Sequence, residues 1–248
     1  MSLDGMGVPR MLPAGTVHVW FLDGPERADP TWLEILDPEE RARAVRFLGQ
    51  EQRDAFTAAH ALVRTALSAY GRRSPEEWRF AISPQGHPTV LDSGELSFSL
   101  THSGADAAVA IAAGAALGLD LEPVPSERDA LPIARRFFTE TEQEWLSGLP
   151  PGDRCAGFAA LWTVKEAVLK ARGCGLTESL RSVEAEVDPS DRVVGVRAPG
   201  GPWALRSWSP RPGWFAALAV PTDARLEVAT FRARPLGAPV RAPELAPE

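Results

Sequence analysis

Residues 161–175 read LWTVKEAVLKARGCG, and this stretch decides the fold that we predict for the chain. At about 100° per residue it predicts a helix that ends at the glycines of its GCG sequence. One broad apolar arc of this helix consists of Leu161, Val164, Ala167, Val168, Leu169 and Ala171. Trp162 lies at the edge of the arc, and Glu166 and Lys170 stand side by side just beyond it, one turn apart. We expect this helix to pack its apolar arc into a core.

Lys165 lies inside the apolar arc and not on the polar side of this helix. A charged group among core positions is costly unless an anion or a carboxylate meets it. The alternative is a lysine whose stem packs against apolar neighbours while its ammonium group reaches water. The helical pattern alone leaves both interpretations open.

A second informative stretch is GLDLEP at residues 118–123, which follows a run of small residues. Apolar and acidic residues alternate there, and this alternation predicts a strand. Because side chains two residues apart share a face of a strand, Asp120 and Glu122 are expected to point the same way. Two neighbouring carboxylates repel each other unless a cation lies between them, and ligation by oxygen alone suits Mg²⁺. The alternative is a solvated strand end.

Two further stretches carry the signals of helix starts. Asp37 is followed by Pro38, as expected of a helix with Asp37 as its N-cap and proline as its first residue. Thr139 and Glu142 have the spacing of a capping box, in which each side chain accepts a hydrogen bond from the other residue's backbone N–H. This local role is the alternative to a functional role for Glu142.

Four motifs occur in a fixed order along the chain. They are Ser99-Leu100-Thr101-His102-Ser103, Asp120-x-Glu122, Arg135-Arg136-Phe137-Phe138-Thr139-x-x-Glu142 and Trp162-x-x-Lys165-Glu166-Ala167-x-x-Lys170. Together they resemble the Sfp-type 4′-phosphopantetheinyl transferases, and the resemblance runs from about residue 20 to about residue 220. It implies an α+β fold of two similar α/β subdomains related by a pseudo-two-fold axis, with the active site in the cleft between them.

The resemblance also implies an activity. Enzymes of this family move the 4′-phosphopantetheine arm of coenzyme A onto a serine of an apo acyl carrier or peptidyl carrier protein, and release adenosine 3′,5′-bisphosphate. On this interpretation Asp120, Glu122 and Glu166 bind Mg²⁺, with Mn²⁺ as an alternative. The predicted catalytic residues are Asp120, Glu166 and Lys170, with Glu166 or a water molecule as the base. Lys165 is expected to face the pyrophosphate, and Lys170 to steady Glu166 or reach a phosphate.

A helix predicted at residues 50–70 bears on the binding of coenzyme A. Opposite its apolar face it carries a polar stripe, which consists of Arg53, Thr57, His60 and Arg64. Such a stripe is typical of a solvated face. In the family that the chain resembles, this helix and the segment before it help to bind coenzyme A, which makes Arg43, Arg46 and Arg53 candidates for contacts with its phosphates. A structural role is the alternative for Arg64.

Two histidines are assigned by the resemblance. The family usually has Gly-Lys-Pro where this chain has Gly-His-Pro, so His87 is expected near the nucleotide and is only partly charged at neutral pH. His102 matches the histidine that family members place on the 3′-phosphate of coenzyme A, and Thr101 stands where a serine is common. The alternative for His102 is a polar residue that is satisfied within the protein.

Composition limits the possible functions. The chain has 248 residues, of which 44% are hydrophobic, and a formal net charge of −7. This charge, and a sequence without Lys/Arg-rich runs, argue against a nucleic-acid-binding protein. Two cysteines are too few for a disulfide framework or a zinc site, and no apolar run approaches membrane-spanning length. We expect a cytoplasmic protein with reduced thiols and no membrane partner.

The order of the predicted elements gives the domain organisation. Helices followed by antiparallel strands occur in both halves, a pattern of the α+β class. We predict a loose N-terminus, two subdomains and a disordered tail, at residues 1–15, 16–114, 115–231 and 232–248. Within the second subdomain, residues 182–220 are expected to form an antiparallel sheet of four strands.

The resemblance predicts partners as well. Because the chain carries both halves of the fold, it is expected to be a monomer. The carrier protein, usually acidic, is expected to dock near residues 124–137, where Arg135 and Arg136 offer positive charge. The natural carrier is not specified by the sequence, but a tolerant enzyme of the Sfp type is expected to serve polyketide and nonribosomal peptide synthesis in secondary metabolism.

Two other classes of function stay open at this point. A different Mg²⁺-dependent phosphotransferase, acting on a nucleotide diphosphate, would need a Gly-rich phosphate-binding loop, and the sequence contains none. The other alternative is an inactive homologue that only binds coenzyme A or a carrier protein. The intact acidic and lysine positions of the motifs argue against it.

Overall fold

The computed structural model describes most of the chain and divides it into two compact units. It describes residues 12–24, 27–71, 73–83, 88–92, 94–174, 178–237 and 240–241. The first unit holds the described residues up to Ala115 and those from Leu226 onward, and the second unit is Ala116–Arg225. Among the described residues, no helix is both long and apolar enough to cross a membrane.

Helices and strands alternate in groups along the chain. The first unit begins with β1 (Thr16–Leu22), α1 (Pro30–Glu34), α2 (Pro38–Arg46), α3 (Gln50–Tyr70), β2 (Phe80–Ile82), β3 (Pro88–Val90), β4 (Leu96–Ser103) and β5 (Asp106–Ala113). The second unit contains β6 (Gly118–Pro123), α4 (Glu127–Phe137), α5 (Glu140–Gly148), α6 (Arg154–Ala171), β7 (Glu184–Val187), β8 (Val193–Arg197), β9 (Ala204–Trp208) and β10 (Trp214–Val220). The chain then returns to the first unit with β11 (Glu227–Arg232) and β12 (Val240–Arg241).

The first unit is built on a five-stranded sheet on which α3 packs. The strands lie in the order β12-β11-β1-β5-β4, and all neighbours except β1 and β11 run antiparallel. Leu62 and Leu67 of α3 have no exposed surface and share one core with Trp20 and Ile111 of the sheet. The helix predicted at residues 50–70 is therefore confirmed, and its apolar face holds the unit together.

The return of β11 to the first unit corrects the predicted domain limits. We predicted that residues 115–231 form the second subdomain and residues 232–248 a disordered tail, but β11 pairs in parallel with β1 and β12 pairs with β11. All seven residues of β1 are buried, so this strand requires a neighbour on each side. Phe231 supplies part of the cover, since its ring centroid lies 6.0 Å from that of Trp20.

The two chain ends are only partly described. Of the N-terminal segment predicted to be loose, residues 1–11 lie outside the described residues, and Leu12 is buried in the core of the first unit. Of the predicted tail, residues 238–239 and 242–248 lie outside the described residues.

The second unit packs α6 against the strands β6 and β10. These strands form a three-stranded antiparallel sheet in the order β6-β10-β9, whereas β7 and β8 form a separate hairpin. The four strands predicted at residues 182–220 are thus present, but they belong to two sheets and not one. Val164, Val168 and Leu169 of α6 have no exposed surface, as expected from the apolar arc. Each unit therefore packs one long helix on a largely antiparallel sheet, and the predicted α+β class is confirmed.

The predicted helix starts are also confirmed. Asp37 accepts hydrogen bonds from the backbone N–H groups of Glu39 and Glu40, and Glu40 accepts one from the backbone N–H of Asp37. Thr139 and Glu142 form the predicted capping box at the start of α5. In both cases the side chains satisfy backbone donors that the first helical turn leaves unpaired.

A close approach at Gly118 sets the distance between β6 and α6. A Cβ atom built at this position would lie 1.9 Å from the backbone oxygen of Ala167 and 2.5 Å from the backbone nitrogen of Ala171. These are backbone atoms of a packed helix, so they cannot move aside as the end of a side chain could. Glycine at position 118 thus lets the strand that carries Asp120 lie directly against α6.

Substitution of Gly118 by alanine is expected to destabilise the protein. The added methyl group overlaps the α6 backbone, and overpacking of this kind costs about 3 kcal/mol. Gly148→Ala is the control, because a Cβ atom there meets nothing within 4 Å. Urea unfolding followed by circular dichroism should show a lower midpoint for Gly118→Ala only. Equal midpoints for the two variants would contradict the close approach.

Candidate active site

The strand β6 places two carboxylates on one face. Asp120 and Glu122 alternate with the buried residues Leu119 and Leu121, so their side chains point to the side of β6 on which Gly118 meets α6. Asp120 is buried, with 3% of its surface exposed, and Glu122 is half-buried. The predicted strand and the shared face of its two acidic residues are present.

Lys170 joins Asp120 from the last turn of α6. Its Nζ lies 2.6 Å from Asp120 Oδ1 and donates a second hydrogen bond of 3.1 Å to the backbone oxygen of Leu119. The Lys170 side chain is 23% exposed, whereas that of Asp120 is 4% exposed. A charge-assisted bond of this length is among the stronger contacts in a protein. It ties the end of α6 to the acidic strand.

Glu166 lies one turn before Lys170 on α6, and its carboxylate is close enough to Asp120 for their charges to interact. Burial raises the pKa of Glu166, and the negative charge of Asp120 raises it further, while the charge of Lys170 opposes both effects. A carboxylate near another carboxylate holds its proton more tightly because the two negative charges repel each other. This proximity therefore favours the arrival of a proton or a cation at Glu166.

The three carboxylates offer the right chemistry for Mg²⁺ without forming a finished metal site. Asp120, Glu122 and Glu166 present only oxygen atoms, which a hard divalent cation prefers. In the described part of the chain, however, no three His, Cys, Asp or Glu side chains converge closely enough to hold a metal ion. An oxygen of Asp120 is bonded to the ammonium of Lys170 instead. The oxygen atoms of these residues thus suit a metal ion, and the cation that contacts Asp120 in this structure is the ammonium group of Lys170.

The contacts of Lys165 correct the prediction that it faces a pyrophosphate. Its ammonium group has no exposed surface and lies 2.7 Å from Glu142 Oε1. It also donates hydrogen bonds to the backbone oxygens of Leu180 and Val183, the former of 3.1 Å. With a carboxylate and two carbonyls around it, the ammonium is directed into the protein. Of the two interpretations left open by the sequence, the lysine met by a buried carboxylate is the one found.

Glu142 combines two structural roles. One oxygen serves the capping box, and the other accepts a hydrogen bond of 2.9 Å from the backbone N–H of Ala185 and meets Lys165. Burial lowers the pKa of Lys165, while the charge and the hydrogen bond of Glu142 act in the opposite direction. The Lys165 ammonium also lies 5.5 Å from the ring centroid of Phe138. The pair therefore joins α5, α6 and the start of β7 inside the second unit.

The first unit contains a pocket with a volume of about 120 Å³. The apolar part of its wall includes Phe56, Phe80, Ile82, Phe98 and Leu100, and the polar part includes Glu40, Arg43 and His60. A wall of this composition suits a flat, apolar group that carries a charged substituent.

Phe56 organises the polar part of this pocket. The guanidinium carbon of Arg43 lies 5.3 Å from its ring centroid, and the ring centroid of His60 lies 4.0 Å from it. His60 Nδ1 is 2.8 Å from Glu40 Oε1. Burial acts to raise the pKa of Glu40, but the hydrogen bond of His60 and the charges of Arg64 and His60 outweigh it and lower that pKa. Glu40 therefore stays ionised and holds His60 in place.

The polar stripe of α3 faces α2 and not solvent alone. Arg64 has no exposed surface and binds Asp37, Glu40 and the backbone oxygens of Pro75 and Trp78. The structural role weighed for Arg64 is therefore the one found. Sequence reasoning did not single out His60 as a pocket residue. The sequence signal for this contact was the acidic pair of Asp37 and Glu40 at the start of α2, which bind the basic side chains of the α3 stripe.

The residues predicted to bind coenzyme A lie in different places within the first unit. Arg43 lines the pocket, Arg46 is exposed at the end of α2, and Arg53 donates a hydrogen bond of 3.1 Å to the backbone oxygen of Phe47. Only Arg43 of these three is part of the pocket wall. His87 lies outside the described residues.

Thr101 and His102 occupy opposite faces of β4. Thr101 is buried, with 4% of its surface exposed, whereas His102 is exposed. Because side chains two residues apart share a face, His102 follows Leu100 along the side of β4 that lines the pocket. His102 is thus placed beside the pocket, and Thr101 is directed away from it.

Comparisons with known proteins identify the family of this chain. Residues 116–219 match the family model of the 4′-phosphopantetheinyl transferase superfamily. The 4′-phosphopantetheinyl transferase HetI of a Nostoc species is 34% identical over 209 residues, which is 82% of this chain and 87% of that protein. The chain belongs to the 4′-phosphopantetheinyl transferase superfamily. The predicted family and the predicted enzyme class are therefore confirmed.

A second relative supports the predicted subtype within the 4′-phosphopantetheinyl transferases. The 4′-phosphopantetheinyl transferase Sfp of Bacillus subtilis is 26% identical over 202 residues, which is 80% of this chain and 88% of that protein. The segment matched by the family model contains the whole acidic cluster and both lysines of α6. Of the four motifs identified in the sequence, three lie in this segment and Ser99–Ser103 lies in the first unit.

The buried pair of Lys165 and Glu142 leads to a prediction about both residues. Glu142→Gln or Lys165→Met alone leaves one buried charge unpaired, which is expected to cost about 3–5 kcal/mol. The double variant leaves none, so its free energy of unfolding should recover most of this loss. Transfer activity should recover with it if the pair only shapes the unit. A double variant that is stable but inactive would contradict a purely structural role for the pair.

The control for this prediction is an ion pair near the surface of the same unit. Arg192 Nη2 lies 2.9 Å from Asp188 Oδ2, and the Arg192 side chain is 50% exposed. Pairs near the surface contribute about 1 kcal/mol or less, so Arg192→Gln should shift the unfolding midpoint little. Urea titration of all four variants, with mass-spectrometric transfer assays on each, gives both readouts.

Proposed function

We propose that the enzyme transfers the 4′-phosphopantetheine arm of coenzyme A to a carrier-protein serine with the help of Mg²⁺ held by Asp120, Glu122 and Glu166. The observation that carries this proposal is the meeting of Asp120, Glu166 and Lys170 between β6 and α6. These are the acidic and basic groups that a pyrophosphate and a divalent cation require. Mn²⁺ is an alternative ion for the same oxygen ligands.

Glu166 is proposed as the group that takes the proton of the carrier serine. In the protein without a metal ion, burial and the charge of Asp120 raise its pKa. A bound cation would lower this pKa, and Glu166 is the base candidate because it lies close to both Lys170 and Asp120 of the proposed metal site. It acts on the hydroxyl directly or through one water molecule. A bound Mg²⁺ would supply charge neutralisation at the leaving phosphate. Lys170 lies on the same side of α6 and offers a second positive charge to the phosphates.

The pocket of the first unit is proposed to bind the adenosine end of coenzyme A. Phe80, Phe98 and Leu100 offer an apolar surface for the base, and Arg43 offers its guanidinium to a phosphate. His102 lies beside the same wall and stays the candidate for the 3′-phosphate.

The carrier protein is proposed to dock on the outer side of α4. Arg135 and Arg136 are exposed there, and Arg181 is exposed and donates a hydrogen bond to the backbone oxygen of Arg135. Three neighbouring cations suit an acidic partner. We further propose a cytoplasmic monomer that serves acyl or peptidyl carrier domains of polyketide and nonribosomal peptide synthesis.

The first test addresses the acidic cluster. Asp120→Asn and Glu166→Gln are each expected to lower the rate of transfer at least about 100-fold, the range for loss of an acid–base group. The mass of an apo carrier incubated with coenzyme A and Mg²⁺ reports the added arm. EDTA should abolish the reaction in the unmodified enzyme.

The control for the acidic cluster is Glu144→Gln, which removes an exposed carboxylate from α5. It should retain the transfer rate of the unmodified enzyme. Full activity of a folded Glu166→Gln variant would remove Glu166 from the mechanism. An unmodified enzyme that binds coenzyme A but adds no arm to any apo carrier would favour the inactive homologue.

The second test addresses the pocket. Arg43→Gln removes a guanidinium from the pocket wall, and loss of a charge-assisted hydrogen bond costs about 1.5–3 kcal/mol. The dissociation constant for coenzyme A, measured by calorimetry, should therefore rise at least about tenfold. Arg41→Gln, an exposed position on the same helix, is the control and should change it little. Equal effects of the two variants would place the nucleotide elsewhere.

A further inference from the structure

In the protein without ligands, Lys170 is the counter-ion of Asp120. Its ammonium lies 2.6 Å from Asp120 Oδ1 and 3.1 Å from the backbone oxygen of Leu119. Its charge also acts on Glu166, one turn earlier on α6. A cation therefore already lies beside Asp120 and Glu166 before any metal arrives.

A divalent cation on the same oxygen of Asp120 would lie close to the Lys170 ammonium. Mg²⁺ binds carboxylate oxygens at about 2 Å, so an ion on Asp120 Oδ1 would lie less than about 5 Å from the Lys170 ammonium while both keep their contacts. Charges of the same sign at that separation repel strongly where water is largely excluded. Asp120 is such a place, because only 3% of its surface is exposed.

The two lysines of α6 differ in how easily their ammonium groups can move away from their present partners. Lys165 has no exposed surface and is enclosed by Glu142 and two backbone carbonyls. Lys170 is 23% exposed, and its long flexible stem can carry the ammonium to another anion. The helix thus carries one lysine that is fixed in the core and one that can exchange its partner.

We propose that Lys170 is the resting counter-ion of the proposed metal site, that it competes with a divalent cation for Asp120, and that the pyrophosphate of coenzyme A draws it away. The proposal rests on the proposed function, since it takes the carboxylates as the metal site. It assigns Lys170 a role before the chemical step, in addition to any contact with phosphate during it.

The proposal makes metal binding and coenzyme A binding cooperative. If Lys170 competes with the metal for Asp120, the metal binds weakly to the free enzyme and more tightly once the pyrophosphate has engaged Lys170. By linkage, the metal increases the affinity for coenzyme A by the same factor. Removal of the lysine charge should therefore strengthen metal binding to the free enzyme and reduce this cooperativity.

Metal affinity without coenzyme A is the direct test. Mn²⁺ is titrated into the full-length protein, and free Mn²⁺ is measured by electron paramagnetic resonance. Lys170→Met should bind Mn²⁺ at least about tenfold more tightly than the unmodified enzyme. Lys170→Gln, a second neutral variant, should do the same, whereas Lys170→Arg keeps the charge and should not. Unchanged or weaker Mn²⁺ binding by both neutral variants would overturn the proposal.

Arg172→Met is the matched control for this titration. Arg172 lies just beyond α6 and pairs with Glu178, so its loss removes one positive charge from the same end of the helix without touching Asp120. Its Mn²⁺ affinity should stay within about twofold of that of the unmodified enzyme. An equal gain for Arg172→Met and Lys170→Met would reduce the effect to net charge and overturn the specific role of Lys170.

A second titration with saturating coenzyme A measures the cooperativity. The ratio of Mn²⁺ dissociation constants without and with coenzyme A should be larger in the unmodified enzyme than in Lys170→Met. Equal ratios would contradict the proposal while leaving the transferase function intact. Failure of the proposed function would look different: the unmodified enzyme would add no arm to any carrier, whatever its affinity for Mn²⁺.

Discussion

The ammonium group of Lys165 is buried, and several elements of the second unit supply the contacts that offset the free-energy cost of its burial. An unpaired ammonium at that depth would be prohibitively costly, so Glu142 and two backbone oxygens surround it. To deliver Glu142, α5 must start at its capping box close to α6. The backbone oxygens of Leu180 and Val183 reach the ammonium only because the chain between α6 and β7 passes close to it. The rotation of α6, and hence the direction in which Glu166 faces, follows from these contacts.

Much of the second unit was predictable because its signals are local. Helical spacing revealed the apolar arc, alternation revealed β6, and the capping box of Thr139 and Glu142 followed from two residues three positions apart. The partner of Lys165 was not predictable in the same way. Helical spacing placed the lysine in the core but could not say which anion met it, since Glu142 lies on another helix. The motif resemblance favoured a phosphate, and the structure contains a carboxylate.

The first unit shows the same division between local and distant signals. The helix at residues 50–70 and the N-cap at Asp37 followed from spacing. The pocket did not, because its wall combines α2, α3 and three strands. His60 became a pocket residue only when Glu40, twenty positions earlier, was brought to its ring. The strand β11 was missed for a related reason, since its partner β1 lies at the other end of the chain.

The path of β11 has a consequence for biosynthesis. The chain leaves the first unit after Ala115 and returns at Leu226, so the second unit is an insertion within the sequence of the first. During translation the ribosome therefore releases β1, β5 and α3 long before the strand that covers one side of β1. Until residue 232 has emerged, β1 presents an open edge next to an apolar core, a state prone to wrong pairing. The second unit does not depend on a distant strand in this way, because its described residues form one continuous segment of the chain. It can therefore fold while the first unit is still incomplete.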